Sequence, residues 1–394
     1  MKAYRQFIAL TFITRSAFAF SFATYVMFLL SRGASLLEVS LINMSFMIAI
    51  VIAEIPTGIF ADLLGRKRSF LISNLVMAAG LILYFISHSF WMFIAAEMIA
   101  GIGLTFRSGA LEAWVVDAVI ESGDNISNER IFSSESIATH AANIFGGLSG
   151  AYMGDIDLAY PWLAGAIALV LAFVIGVILM KEPITHQKVR SKSPLLAIKS
   201  ILKRSVDYGL RKKVVFLLMV STLVSAIFYQ PLNMYWQPRF ADIAGEKIWI
   251  LGWIWVLISG SLMLGGYLVR YLPVKINRYS TMAVTTAFNS IPVIFAALIG
   301  SFIPALTLFC LYEIARGMTE PIKTALINDE IPSAERATIL SLNQVFMRTG
   351  AIVGLLATGF IADNCSISAA WIVAAMVVLF NIPIFAMAKR AKIR

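Results

Sequence analysis

Gly58-Ile-Phe-Ala-Asp62-Leu-Leu-Gly65-Arg66-Lys67-Arg68 joins the end of one long apolar stretch to the start of the next. Gly58 carries no side chain where another helix could come close, and Gly65 permits a tight turn. Asp62, near a helix C-terminus, opposes the helix dipole and so wants a partner. The three cations at 66–68 suit the side of a membrane that collects positive charge.

The rest of the chain agrees with a membrane setting. Hydrophobic residues make up 59% and charged residues 14% of the 394, where a soluble domain averages about 25% charged. Apolar runs of about 20 residues recur, each long enough to cross roughly 30 Å of hydrocarbon. In lipid the backbone must satisfy its own hydrogen bonds, so runs of this length predict helices. Twelve spans are expected: 6–30, 38–61, 69–87, 90–116, 132–154, 158–180, 214–236, 248–269, 280–300, 303–327, 337–361 and 369–388. The N-terminal run is interrupted by Arg15 and continues to Leu30, which argues against a cleavable signal peptide.

The net charge of +10 is unevenly distributed. With both termini inside, the cytoplasmic segments hold 24 of the 32 Lys and Arg, the outer loops hold three (Arg32, Arg239, Lys247), and five lie within spans. That asymmetry is the positive-inside pattern. The basicity therefore concerns topology and anionic membrane lipids, and no nucleic-acid partner is expected. Cys310 and Cys365 suggest neither a disulfide framework nor a metal site, and no cofactor is expected.

Residues 181–213 break the apolar rhythm with ten basic residues and only Glu182 and Asp207 as acids. Leu195, Leu196, Ile198, Ile201, Leu202 and Val206 fall at roughly helical spacing, which predicts an amphipathic helix on the inner membrane surface. This basic linker separates an N-terminal six-helix bundle, 1–180, from a C-terminal one, 214–394. The halves echo each other. Glu97-x-x-x-Gly101 followed by Arg107 matches Glu313-x-x-x-Gly317 followed by Lys323, and Glu129-Arg130 opens span five as Glu335-Arg336 opens span eleven. Internal repeats of this kind are common in transporters.

Charges inside the spans are the candidate functional residues. They are Arg15, Arg107, Arg316, Lys323 and Arg348 with Glu54, Glu97, Glu112, Glu313 and Glu320. Each costs roughly 2.5–3.5 kcal/mol at mid-bilayer if it faces lipid, so these side chains must face one another or water. Glu313, Arg316, Glu320 and Lys323 share one face of a helix with alternating sign, which reads either as a salt-bridge ladder or as a wet path with protonatable carboxylates. Glu54 and Arg348 sit at similar depth and form a possible structural pair. Gln230, Tyr235 and Trp236 of span seven are candidates to line a cavity, with interface anchoring as the alternative for the aromatics.

The segment 58–68, with its Gly, Asp, Gly and two following cations, closely resembles the loop between the second and third helices of major facilitator superfamily transporters. The resemblance implies an all-α integral membrane fold: twelve transmembrane helices in two pseudo-symmetric six-helix bundles. It also implies a conformational latch built from Gly58, Asp62, Gly65, Arg66 and Lys67, with Asp117 as the acid that Arg66 meets. Three departures stand out. Leu63 replaces the usual cation after the Asp, Glu97 stands where the family often has an Arg, and Arg270 stands where the second-half latch would have an Asp. Span five has Gly146, Gly147, Gly150 and Gly154 for close packing but lacks the Pro of the antiporter signature. Residues 107–117 resemble a bacterial efflux-type subgroup.

The expected function is that of a monomeric secondary transporter in the inner (plasma) membrane, not an enzyme, since no nucleophile motif or phosphate loop is present. It would exchange a small molecule for protons by alternating access, with efflux of drug-like compounds or metabolites as the first expectation. Glu97, Glu313 and Glu320 are the candidate proton carriers, and Arg15, Arg107, Glu112, Arg316 and Lys323 complete the pathway. An organic anion such as a siderophore-like chelate is the second expectation, since Arg15, Arg107 and Arg316 could receive negative charge. A lipid scramblase or a membrane-embedded enzyme is the rival from another class.

Overall fold

The structure, a computed structural model, describes residues 2–182, 211–245, 247–273, 277–331 and 336–393. The helix expected over 195–206 lies outside the described residues. Those described are helical with no strand among them. Among the described residues nine helices are long and apolar enough to cross a membrane, and a tenth crossing follows if the bent pair Lys2–Phe22 and Tyr25–Ser31 counts as one. Asn128–Ile156 and Phe302–Glu330 are each 29 residues long but carry too many charged and polar residues to qualify on composition.

The chain gathers into two compact units: 1–190 with 246–256, and 191–245 with 257–394. The first contains α1 (Lys2–Phe22), α2 (Tyr25–Ser31), α3 (Leu36–Leu64), α4 (Arg66–Ile86), α5 (Phe90–Arg107), α6 (Ala110–Ser122), α7 (Asn128–Ile156) and α8 (Tyr160–Leu179). Local signals set several of the boundaries. Ser35 and Glu38 form a reciprocal cap at the start of α3, which satisfies two otherwise orphaned N–H groups. Gly65 separates α3 from α4 with φ +99°, and Gly109 breaks α5 from α6 with φ +69°, backbone states that side chains disfavour.

The second unit contains α9 (Lys213–Ala244), the later part of α10 (Ile248–Leu268), α11 (Arg278–Leu298), α12 (Phe302–Glu330), α13 (Arg336–Asn364), α14 (Ile367–Val378) and α15 (Asn381–Ile393). The two units repeat one packing scheme. In the first, α1 packs on α7 and α8, α4 on α5 and α8, and α3 on α5. In the second, α9 packs on α13, α14 and α15, and α11 packs on α12, α14 and α15.

Glycine makes the tightest crossings possible, and it does so at matching places. A Cβ on Gly146 or Gly150 of α7 would run into the backbone of Ser16 or Phe20 in α1. A Cβ on Gly350 or Gly354 of α13 would meet the backbone of Leu223 or Ile227 in α9. Gly101 lies against the Phe46 carbonyl of α3, and Gly317 against the Leu262 carbonyl of α10. Helices in lipid associate largely by van der Waals packing, so small residues at i and i+4 let the backbones touch.

In the second unit a cluster of charge gathers at a helix end around a buried acid. Glu330 of α12 is met by Lys392 of α15 at 2.6 Å, Lys212 at 3.5 Å and the Tyr279 hydroxyl of α11 at 3.1 Å. Three helix ends and the lead-in to α9 are thereby held together around one buried carboxylate.

Gly150→Val should fail to fold or melt at a markedly lower temperature, since overpacking costs about 1–3 kcal/mol or more when backbone must move. Gly260→Ala, with nothing within 4 Å of the added Cβ, should melt like the wild type. Thermal unfolding in detergent, followed by size-exclusion chromatography, reads both.

Candidate functional site

The loop that opens the sequence argument is organised around its turn. Gly65 places the N-terminus of α4 against Glu182, whose carboxylate accepts from the backbone N–H of Arg66 at 2.7 Å and Lys67 at 3.1 Å. Two orphan donors at the start of α4 are thereby capped by an acid, the favourable sign for a helix N-terminus. Lys67 reaches the other way, donating to the carbonyls of Val177 at 3.0 Å and Met180 at 2.5 Å. It caps the C-terminus of α8 with a cation. Trp114 of α6 adds a hydrogen bond to the Lys181 carbonyl at 2.8 Å. The loop thus ties α4, α6 and the end of α8 together within the first unit. Arg66 and Asp117 each have a partner, and the Asp62 side chain lies outside what is described. Gly58 has open space beside it among the described residues.

Inside the first unit the predicted charges separate into two groups. Glu97 of α5 is 6% exposed and accepts from the Tyr25 hydroxyl at 2.6 Å. Around this pair Tyr25, Phe28, Tyr84, Phe93 and Trp162 pack in tilted, edge-to-face and stacked contacts, with Tyr84 and Trp162 parallel at 4.0 Å. The second group lies at the break between α5 and α6. Arg107, the last residue of α5, is 8% exposed and sits over the Phe18 ring at 5.1 Å. Arg15 of α1 pairs with Glu135 of α7 at 3.7 Å. Arg15, Glu112 and Glu135 are all electrostatic neighbours of Arg107.

In the second unit the expected four-residue ladder is only partly formed. Glu313 and Arg316 pair at 3.3 Å. Arg316 also donates to Asn233 of α9 at 2.9 Å and lies over the Tyr229 ring at 4.9 Å. Glu320 is exposed and Lys323 is 5% exposed. Neither has an ion-pair partner within 4 Å among the described residues. The shared helical face is present, yet the alternating signs do not link into a chain. Tyr235 and Trp236 are buried, so they do not project as interface anchors. Glu54 belongs to the first unit and Arg348 to the second, and each is engaged.

Four participants were passed over in the sequence. Glu135 lies inside span five and was masked by the serines around it. Glu182 looked like a stray acid in a basic segment, although an acid among ten cations was itself a signal. Asn233 and Tyr229 are uncharged and gave no signal. Spacing along one helix says nothing about which neighbouring helix supplies a partner.

Long apolar helices in two units with a repeated packing scheme, and ionic groups buried within them, define a multi-pass membrane transporter. The chain belongs to the Major Facilitator Superfamily, whose family model matches residues 7–347. It is similar to the uncharacterized MFS-type transporter YxaM of Bacillus subtilis, 23% identical, with 100% of this chain and 96% of that protein covered. The uncharacterized MFS-type transporter YcaD of Salmonella arizonae is 22% identical over 82% of this chain and 79% of that one. Among solved structures, the nucleoside transporter NupG superposes with a TM-score of 0.80 at 15% identity, covering 99% of both chains. A bacterial homolog of the human lysosomal transporter Spinster gives 0.75 at 12% identity, covering 99% of this chain and 96% of that one.

Glu182→Ala should lower the unfolding free energy by about 0.5–2 kcal/mol, the range for loss of a helix N-cap, and Glu182→Gln should lose less. Thermal melts of the two variants in nanodiscs check the order. Equal stability of Glu182→Ala and wild type would remove the capping role.

Proposed function

We propose that this transporter works by alternating access and couples the movement of a small organic solute to protons. One contrast carries the reading. Glu97 and Glu313 occupy matching places in the repeat. The partner of Glu97 is the neutral phenol of Tyr25, whereas that of Glu313 is the guanidinium of Arg316. Among the described residues no cation pairs with Glu97, so the charge at that place is set by the proton alone. At Glu313 the ionised carboxylate is already balanced by the guanidinium of Arg316. An equilibrium that buries or opens Glu97 is therefore sensitive to protons. Glu97 is the first candidate carrier, with Glu313 and Glu320 behind it.

The resemblance of residues 107–117 to efflux-type members supports export, with drug-like compounds or metabolites as cargo. A second reading, an organic anion as cargo, is favoured by the Nη1 of Arg107, which is buried without a hydrogen-bond partner. The distribution of Lys and Arg supports twelve crossings with both termini cytoplasmic. On this reading the halves 1–180 and 214–394 rock about the linker. The segment 58–68, with Asp117, serves as the latch of one state, and the transporter acts as a monomer in the plasma membrane.

Proteoliposomes loaded with a pH dye test the coupling. Amino acids, dipeptides, nucleosides, organic acids and cationic dyes are added outside in turn. At least one class should drive proton movement in the wild type, and Glu97→Gln should reduce it by about tenfold or more while leaving solute exchange measurable. Solute exchange with no accompanying proton movement in the wild type would end the coupling proposal.

A further inference from the structure

The break in the fourth apolar stretch leaves polar groups unsatisfied inside the first unit. Gly109 ends the continuity of the helix, and α6 restarts with no side-chain cap on its first N–H groups. The carbonyl of Phe106, freed by the break, is satisfied by the Ser69 hydroxyl at 2.6 Å. Two side chains at the break remain unsatisfied. Nη1 of Arg107 and Oε2 of Glu112 are each buried without a hydrogen-bond partner. A buried polar atom left unpaired costs about 1–3 kcal/mol, more when charged, so two atoms of opposite sign without partners among the described residues, on electrostatic neighbours, call for a third party.

Their surroundings say what kind. Glu112 and Glu135 are electrostatic neighbours of each other and of Arg107, so two carboxylates share one neighbourhood. Arg15 holds Glu135 from the other side at 3.7 Å. A group with several N–H donors and a positive charge fits between two carboxylates. A carboxylate fits the open edge of Arg107, assisted by the uncapped N-terminus of α6. The four side chains, two Arg and two Glu, sum to zero charge, so a ligand without net charge leaves the balance intact. The two helices that carry Arg15 and Glu135, α1 and α7, form a groove of about 640 Å³ lined by Ile8, Phe12, Ile13, Ile137 and Ala138, with Tyr4 and Arg5 also on its wall. Phe12 is one helical turn from Arg15, and Ser134, also on the groove wall, adjoins Glu135.

We propose that the cluster at the α5–α6 break binds a small zwitterion with an apolar body. Its ammonium group sits between Glu112 and Glu135, its carboxylate on Arg107, and its side chain in the α1–α7 groove. The proposal rests on the transport reading and names the substrate class within it. It keeps the carboxylate of the organic-anion reading and adds an ammonium group for the two carboxylates to receive.

The test uses the full chain in lipid nanodiscs. Leucine, methionine and phenylalanine are compared with their amides, which lack the carboxylate, and their N-acetyl forms, which lack the ammonium. Thermal shift reports binding, and exchange of radiolabelled amino acid in proteoliposomes reports transport. At least one free amino acid should bind and exchange, with both blocked forms at least about tenfold weaker. Arg107→Gln should abolish the preference over the amide, with Arg107→Lys restoring part of it, and Glu112→Gln should abolish the preference over the N-acetyl form. A purely structural role for either residue would weaken all three forms alike. Equal binding of the three forms, or binding of none of the free amino acids, overturns the proposal. Exchange of nucleosides, organic acids or dyes without zwitterion binding overturns it while leaving the transport reading standing. Absence of exchange for every solute class removes both.

Discussion

A charge enclosed by apolar helices has to be solvated by the protein, and how completely each unit does this separates scaffold from site. The costs are lopsided: a fully satisfied ion pair in the interior adds little to stability, while a half-satisfied one is expensive. Glu330, ringed by Lys392, Lys212 and Tyr279, is satisfied and fastens helix ends. Arg316, with Glu313, Asn233 and the face of Tyr229, is largely satisfied. Arg107 and Glu112 are not. Unsolvated ionic groups persist in a folded protein where something else comes to solvate them, which is why the α5–α6 break and not the Glu313–Arg316 pair is the better place to look for a ligand.

The glycine crossings make this arrangement possible. Gly146 and Gly150 bring α7 against the backbone of α1, and that contact sets Arg15 within reach of Glu135. Gly101 does the same for α5 and α3 below the Glu97–Tyr25 pair. Backbones in contact have few ways to slide, so each unit behaves as a stiff body in which side chains are placed closely. The repeat shows how one scaffold can carry two chemistries. Glycines recur at corresponding crossings in the second unit, but Gly109 has no counterpart there: the residue at the same distance after Lys323 is Ala325, and α12 runs unbroken past it.

Much of the fold was legible because lipid allows few solutions. Apolar length predicts helices, glycine at i and i+4 predicts close crossings, and Gly65 could be read as a turn from its place between Asp62 and three cations. The repeat centred on Glu97 and Glu313 was visible from spacing alone. The site was less legible. Charges could be found by their rarity in apolar sequence, but their partners come from other helices, and helical phase on one element does not say which. Glu97 with Tyr25, and Arg316 with Asn233, are pairings of a charge with a neutral group that no charge-counting argument would make. Glu320 shared a face with Glu313 yet stands exposed, because helical phase fixes direction and not depth. Gly109 was visible as a residue, but its consequence, a helix interrupted beside a buried Arg, required the backbone.

The central claim is that these interior charges line a route reached from either side of the membrane in turn, not a closed scaffold. The direct measurement is thiol accessibility in sealed vesicles of known orientation. Cys310 and Cys365 are replaced by Ser, and one Cys is placed at Asn233 beside Arg316 or at Ser108 beside Arg107. A membrane-impermeant maleimide is then applied from each face at two pH values. The account predicts labelling at each position from both faces, with a change of pH raising the rate on one face as it lowers the rate on the other. Labelling from neither face, or from one face alone at a rate indifferent to pH, would contradict it.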